Sequence, residues 1–198
     1  GLICDGSGGT SNDIEAFVFR MDLGSNVFDG SPVLNFPLNH DRDAAWNSSP
    51  TGSARWYRWF ADAMFSPWFN QDRLSRPSPI LSDIEFDDNG NMILGFIDRS
   101  SFQLDKNSRF QTSTGTTNLR FFAAGGDIMR ATTNGDGSFT IEPQSFPPVT
   151  GNDTSEPEFF FDDRLNDRNH QENSLGGLLA VMGTGEVVTV SYEQFSIY

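Results

Sequence analysis

Apolar and polar positions along the chain fall into a repeated β-hairpin pattern. Asp83-Ile84-Glu85-Phe86-Asp87 leads through Asp88-Asn89-Gly90-Asn91 into Met92-Ile93-Leu94-Gly95-Phe96-Ile97, and Asn-Gly predicts a two-residue turn with positive φ at both positions. Gly177-Leu178-Leu179-Ala180-Val181-Met182 leads through Gly183-Thr184-Gly185-Glu186 into Val187-Val188-Thr189-Val190-Ser191, a second version of the same unit. A third pair, 127–132 and 138–142, turns through Asn134-Gly135-Asp136-Gly137 and alternates more strictly, which predicts one wetter face. Residues 14–22 followed by 33–36 resemble this third type.

Dry and wetter hairpins thus alternate along the chain. In a β-propeller each blade is a four-stranded meander whose inner strands are covered on both faces and so read as near-continuous apolar runs. The expected fold class is therefore all-β, a β-propeller or part of one. The chain supplies roughly two to three blades, against about four to eight in a closed ring. A piece of a larger propeller domain is the expectation, with strand edges near Ile14 and Tyr192 left for another segment or chain to pair.

One segment departs from the β pattern. Ser53 is placed to cap a short amphipathic helix over 54–65, with Trp56, Trp59, Phe60, Ala63 and Met64 on one face and Pro67 ending it. Two readings follow: the aromatic face plugs into the domain itself, or Trp56, Tyr57, Trp59 and Trp68 form a partner-binding surface. Residues 1–13, 39–52, 103–119 and 144–156, rich in Ser, Thr, Asn, Gly and Pro, are expected to be long loops.

The strings Pro79-Ile80-Leu81-Ser82-Asp83-Ile84-Glu85-Phe86, Gly95-Phe96-Ile97-Asp98-Arg99 and Gly126-Asp127-Ile128-Met129-Arg130-Ala131 carry a family resemblance that continues further on. There they are followed by Glu158-Phe159-Phe160-Phe161, His170-Gln171-Glu172, Gly176-Gly177-Leu178-Leu179 and Gly183-Thr184-Gly185-Glu186-Val187-Val188. Over about the C-terminal two-thirds the chain resembles the propeller-like modules of large bacterial surface proteins that carry the B-type immunoglobulin-like domains of serine-aspartate-repeat proteins. The resemblance implies an extracellular or cell-surface location and a role in adhesion or envelope architecture. It supplies no catalytic residue.

Charge narrows the partners. Lys and Arg number 13 against 27 Asp and Glu, a formal charge of −14, so nucleic acid and anionic membrane surfaces would be repelled. Cys4 is the single cysteine, which excludes an internal disulfide and a thiolate cluster within the chain. No stretch is apolar over a membrane-spanning length. The chain begins at Gly1 and reads as a mature or excised piece of a longer protein.

Candidate chemistry is sparse. His40 and His170 are the only histidines, and no nucleophile elbow or phosphate loop with its Lys is present; Gly6-Ser7-Gly8-Gly9-Thr10 lacks the Lys and the preceding strand. Calcium is the one cofactor with a pattern to support it, and none is required. Asp87, Asn89 and Asn91, and again Asn134, Asp136 and Ser138, alternate like calcium ligands, but turn chemistry accounts for both. The acidic stretch 162–172 is denser, and Asp98, His170 and Glu172 are the candidate metal ligands if a propeller rim gathers them. A glycosidase-like alternative would set Asp83, Asp98 and Glu172 around a channel as acid and base. Asn47-Ser48-Ser49 and Asn152-Asp153-Thr154 fit the N-glycosylation pattern. The expected function is a non-enzymatic structural or adhesive module making protein or glycan contacts, with a calcium-dependent or carbohydrate-active propeller as the alternative.

Overall fold

The computed structural model describes residues 2–4, 14–38, 56, 78–99, 109–112, 115–118, 126–142 and 174–191. In chain order these form β1 (Leu2–Cys4), β2 (Ile14–Val18), β3 (Met21–Asp22), β4 (Val27–Phe28), β5 (Leu34–Pro37), β6 (Pro79–Phe86) and β7 (Met92–Asp98). They continue as β8 (Arg109–Thr112), β9 (Gly115–Asn118), β10 (Asp127–Thr133), β11 (Phe139–Ile141), β12 (Ser174–Val181) and β13 (Glu186–Ser191). The described residues are all-β, and none of their helical segments is long and apolar enough to cross a membrane. The helix expected over 54–65 lies outside them except for Trp56.

The centre is a four-stranded antiparallel sheet in the order β11-β10-β7-β6. The hairpins predicted at 83–97 and 127–142 are therefore two halves of one sheet, joined along β7 and β10 with Met92 opposite Ala131 and Phe96 opposite Asp127. β7 reads as a continuous apolar run because both of its faces are covered. On one face Met92, Leu94 and Phe96 meet Ile14, Ala16, Val18, Leu34 and Phe36 of a second sheet, ordered β1-β2-β5. On the other face Ile93 and Ile128 meet Leu178 of the β12–β13 hairpin. Three layers of sheet result, with the four-stranded sheet in the middle. The outer β1-β2-β5 sheet is also tied to the middle one along an edge, where the Phe139 amide donates to the Val33 carbonyl at 3.0 Å.

Several expectations change. Residues 14–22 are not one strand: the chain leaves the sheet after Val18 and makes a separate small hairpin, β3–β4, whose turn is held by the Asp22 carboxylate. β10, expected to have a wetter face, is buried on both sides from Asp127 to Met129, because β12 packs over it. Strands also occupy two segments expected as loops: β1 pairs with β2, and β8 with β9. Short polar runs carry little strand signal by themselves, and pairing with a neighbour supplies what propensity does not. At Asp87–Asn91 only Gly90 has positive φ (77°), and the loop is three residues long, a type I turn closed by a left-handed glycine. The Asp87 carboxylate selects it by accepting the amides of both Asn89 and Asn91 at 2.9 Å.

Candidate interaction site

β12 reaches the central sheet by backbone contact. A β-carbon on Gly95 would collide with the Gly176 carbonyl, one on Gly126 with the Ser174 carbonyl, and one on Gly176 with the Ser82 hydroxyl. Gly176 also adopts φ 69°, which L side chains rarely tolerate. Opposite these glycines β6 carries a bulge: Leu81 faces Phe96, Asp83 faces Gly95, and Ser82 is the extra residue. The bulge aims Ser82 and Asp83 at β12. The Ser82 hydroxyl lies 3.0 Å from the carbonyl oxygens of both Gly95 and Gly176, and Asp83 Oδ2 accepts the Leu178 amide at 2.9 Å. At the far end of the hairpin Asp88 accepts the Gly183 amide at 2.6 Å.

The candidate acidic residues are therefore engaged in structure. Asp83 faces β12, while Asp98, in line with Leu94 and Phe96, projects from the opposite face of the sheet, so these two carboxylates cannot act as an acid and base on one substrate. Asp98 is fully buried and accepts the Ser78 amide at 2.9 Å, with buried Asp127 near the same end of the adjacent strand. His170 and Glu172, the other two members of the metal and glycosidase constellations, lie outside the described residues. Among the described residues no group of three or more His, Cys, Asp or Glu is placed to hold a metal ion.

The calcium-like turns are filled by protein donors. Asp87 Oδ2 accepts from the Asn91 side chain at 2.8 Å and from the Arg130 guanidinium at 3.0 Å. Burial pushes the Asp87 carboxyl up, but hydrogen bonds from the Asn91 side chain and amide, the Asn89 amide and Arg130 outweigh it and hold the carboxyl below its ordinary value. Asp136 is likewise held low by the hydroxyl and amide of Ser138.

Of the aromatic residues assigned to partner binding, Trp56 is fully buried, its ring 6.0 Å from Phe96 within the main core. Its indole is a core element and is not presented to a partner. Tyr57, Trp59 and Trp68 lie outside the described residues.

Two other surfaces are open and apolar. The first surrounds β3–β4, where Phe19, Met21, Leu23, Val27 and Phe28 are exposed, Leu23 at 80% and Phe28 at 62%. At its foot an open cleft of about 650 Å³ is lined by Phe17, Phe19, Phe28, Leu81, Ile84 and Asp29 among others. Phe17 and Phe19 stack with ring centroids 6.5 Å apart, and Asp29 is paired with Arg20 at 2.8 Å. The second is the outer face of β12–β13, where Leu179, Val188 and Val190 are each more than half exposed. Sequence reasoning expected this hairpin to be covered on both faces, read Phe19 only as a strand residue and did not single out Phe28. The signal that could have located the first surface is the Phe-x-Phe of Phe17-Val18-Phe19 just before a polar turn. No family model, curated protein or solved structure matches the chain.

Proposed function

We propose that the chain is a non-enzymatic structural or adhesive module of an extracellular or cell-surface protein, working through contacts with protein or glycan. The observation that carries this reading is the Phe-lined cleft beneath the exposed β3–β4 hairpin. Aromatic rings concentrate binding energy in contact surfaces and stack on sugar and protein alike. A cleft of 300–1,000 Å³ with apolar walls is of the size that ligands occupy. The two carboxylates that line it are engaged in structure: Asp83 accepts the Ile84 and Leu178 amides, and Asp29 pairs with Arg20. Contact, rather than proton transfer, is what such a surface offers.

The architecture we propose for the module is a set of propeller blades. Its support is the central meander, whose four strands are neighbours in chain order apart from the inserted β8–β9 hairpin and which is covered on both faces. The Phe139–Val33 hydrogen bond is the feature that a sandwich would extend along the whole edge.

The test is adhesion of the purified chain to immobilised matrix proteins and to a glycan array. Phe28→Ser and Leu23→Asp are expected to reduce capture by about tenfold with unchanged thermal melting, since both side chains already face water. Hydrolysis of a glycoside that disappears in Asp98→Asn, with the fold retained, would overturn the non-enzymatic reading in favour of the carbohydrate-active one.

A further inference from the structure

We infer that Asn89 is a site of spontaneous covalent modification: the Asn89-Gly90 pair closes to a succinimide and reopens with water to isoaspartate and aspartate, while the second Asn-Gly pair, Asn134-Gly135, is protected by its surroundings. The inference is independent of the adhesive reading and concerns the turn between β6 and β7.

The reaction needs a sterically open main-chain nitrogen, a carboxamide able to swing toward it, and water. The Gly90 nitrogen gives its proton to a solvent base and attacks Asn89 Cγ; the N–Cγ bond forms, the Cγ–Nδ2 bond breaks, and Nδ2 leaves as ammonia. Water then opens the ring. Addition at Cγ gives aspartate, and addition at the main-chain carbonyl gives isoaspartate, whose main chain runs through Cβ. Nothing is oxidised or reduced.

The two pairs are alike at the attacking nitrogen. Each asparagine is exposed and is followed by a glycine, which has no β-carbon to shield its nitrogen or to resist the rotation that brings it to Cγ. Each glycine amide also donates one hydrogen bond, Gly90 to the Asp87 carbonyl at 2.9 Å and Gly135 to the Thr133 hydroxyl at 3.2 Å. They differ at the carboxamide. Among the described residues the Asn89 carboxamide makes no hydrogen bond, and a β-carbon on Gly90 would meet its nearest neighbour only at 4.0 Å. The Asn134 carboxamide is pinned at both ends: Nδ2 donates to the Ser138 hydroxyl at 2.9 Å, and Oδ1 accepts from the Thr140 hydroxyl at 3.0 Å. Swinging Asn134 Cγ toward Gly135 breaks both of these bonds. Swinging Asn89 Cγ breaks neither.

The modified turn is a joint between strands. Asp87 Oδ1 accepts the amides of Asn89 and Asn91, and the Asn91 side chain donates to Asp87 Oδ2 at 2.8 Å and accepts the Thr133 amide at 3.2 Å. Isoaspartate adds a main-chain atom between the Asn89 amide and those of Gly90 and Asn91, so one carboxylate no longer spans the turn. The tie from β6–β7 to β10 loosens as the protein ages.

Peptide mapping by mass spectrometry, after incubation of the folded full chain in warm, mildly alkaline buffer, tests this. Asn89 is expected to convert at least about tenfold faster than Asn134, the difference set by the two side-chain hydrogen bonds. In concentrated urea, where those bonds are gone, the two should convert at similar rates. Ser138→Ala combined with Thr140→Val should raise conversion of Asn134 by about tenfold, and Thr140→Val alone, at an exposed position, by about threefold, with Asn89 unchanged. Amide hydrogen exchange at Asn91 and Thr133 should become about threefold faster in aged protein and stay constant on ageing of Asn89→Gln, whose longer side chain closes the ring poorly. Conversion of Asn134 as fast as Asn89 in the folded chain overturns the inference, as does a difference that persists in urea, which would place its cause in the neighbouring sequence. Unchanged exchange at Asn91 and Thr133 in converted protein overturns the loosening of the joint.

Discussion

Asp83 on β6 holds Leu178 on β12 through a single carboxylate-to-amide hydrogen bond of 2.9 Å, across 95 residues of chain. The β12–β13 hairpin makes no lateral ladder with the central sheet; this bond, the Ser82 contact and the Asp88–Gly183 bond at the turn are polar links that fix where it sits.

Replacing Asp83 should therefore loosen one layer before the others. Asp83→Ala leaves the half-buried Leu178 amide without its acceptor and should cost about 1–3 kcal/mol in urea unfolding. Asp83→Asn, which retains an acceptor oxygen, should cost less. Amide hydrogen exchange is expected to accelerate over β12 and β13 while β7 remains protected. Uniform loss of protection across all layers would show that the hairpin is not a separately opening unit.

The glycine contacts predict a graded series. Gly30→Ala meets nothing within 4 Å and should be nearly neutral; Gly183→Ala has open space but φ 80°, and should lose about 1–2 kcal/mol from the backbone alone. Gly176→Ala combines φ 69° with a collision against Ser82 and should lose more than either. Adding Ser82→Ala to Gly176→Ala should recover the part of that loss due to the Ser82 hydroxyl and leave the conformational part and the tight approach to the Phe96–Ile97 backbone, which double-mutant thermal melts would show.

Asp87 ties the β6–β7 turn to β10 through Arg130, and its carboxyl is held below its ordinary value. Between that depressed folded value and the ordinary unfolded one, the unfolded chain binds more protons. The contribution of Asp87 is therefore complete above about pH 4–5 and is lost as pH falls through the folded value. Asp87→Asn should be less stable than the parent at pH 7, with the difference shrinking as the pH is lowered below 4. A difference independent of pH would place the role of Asp87 in its shape and not its charge.

Because both oxygens of Asp87 accept from amides, the Asn91 side chain or the Arg130 guanidinium, calcium has no vacancy to fill there, while at Asp136 the Ser138 amide and hydroxyl both engage Oδ1. Melting with added calcium and with chelator should coincide. A rise in melting temperature with calcium that survives Asp87→Asn and Asp136→Asn would direct attention to the 162–172 stretch.

Trp56 packs on Phe96 in the core, so Trp56→Ala should cost about 3–5 kcal/mol and Trp56→Phe distinctly less. If either variant lost adhesion at unchanged stability, Trp56 would have a role beyond packing.

Hairpin punctuation made much of this readable from the sequence. Gly90, Gly135 and Gly183 stand where turns form, and the apolar runs on either side became β6–β7, β10–β11 and β12–β13. What the sequence concealed was assembly. Nothing local distinguishes Ile93-Leu94, covered on both faces, from Val187-Val188, open on one, because burial depends on which layer comes next. Asp83 and Asp98 looked like equivalent rim carboxylates. One residue of bulge at Ser82 and the alternation of the strand put them on opposite faces. The close approach of β12 was present only as Gly95, Gly126 and Gly176, which in sequence resemble ordinary turn or flexible positions.

Since the seat of β12 is made by main chain, by Ser82 and Asp83 of β6, and by Leu178 packed on Ile93 and Ile128, the apolar side chains that β12 and β13 turn outward form no part of it. Mount and display are separate sets of residues. Leu179, Val188 and Val190 can be exchanged for others without moving the strand that carries them, so the contact specificity of this end of the molecule is free to diverge while the layers beneath it stay the same.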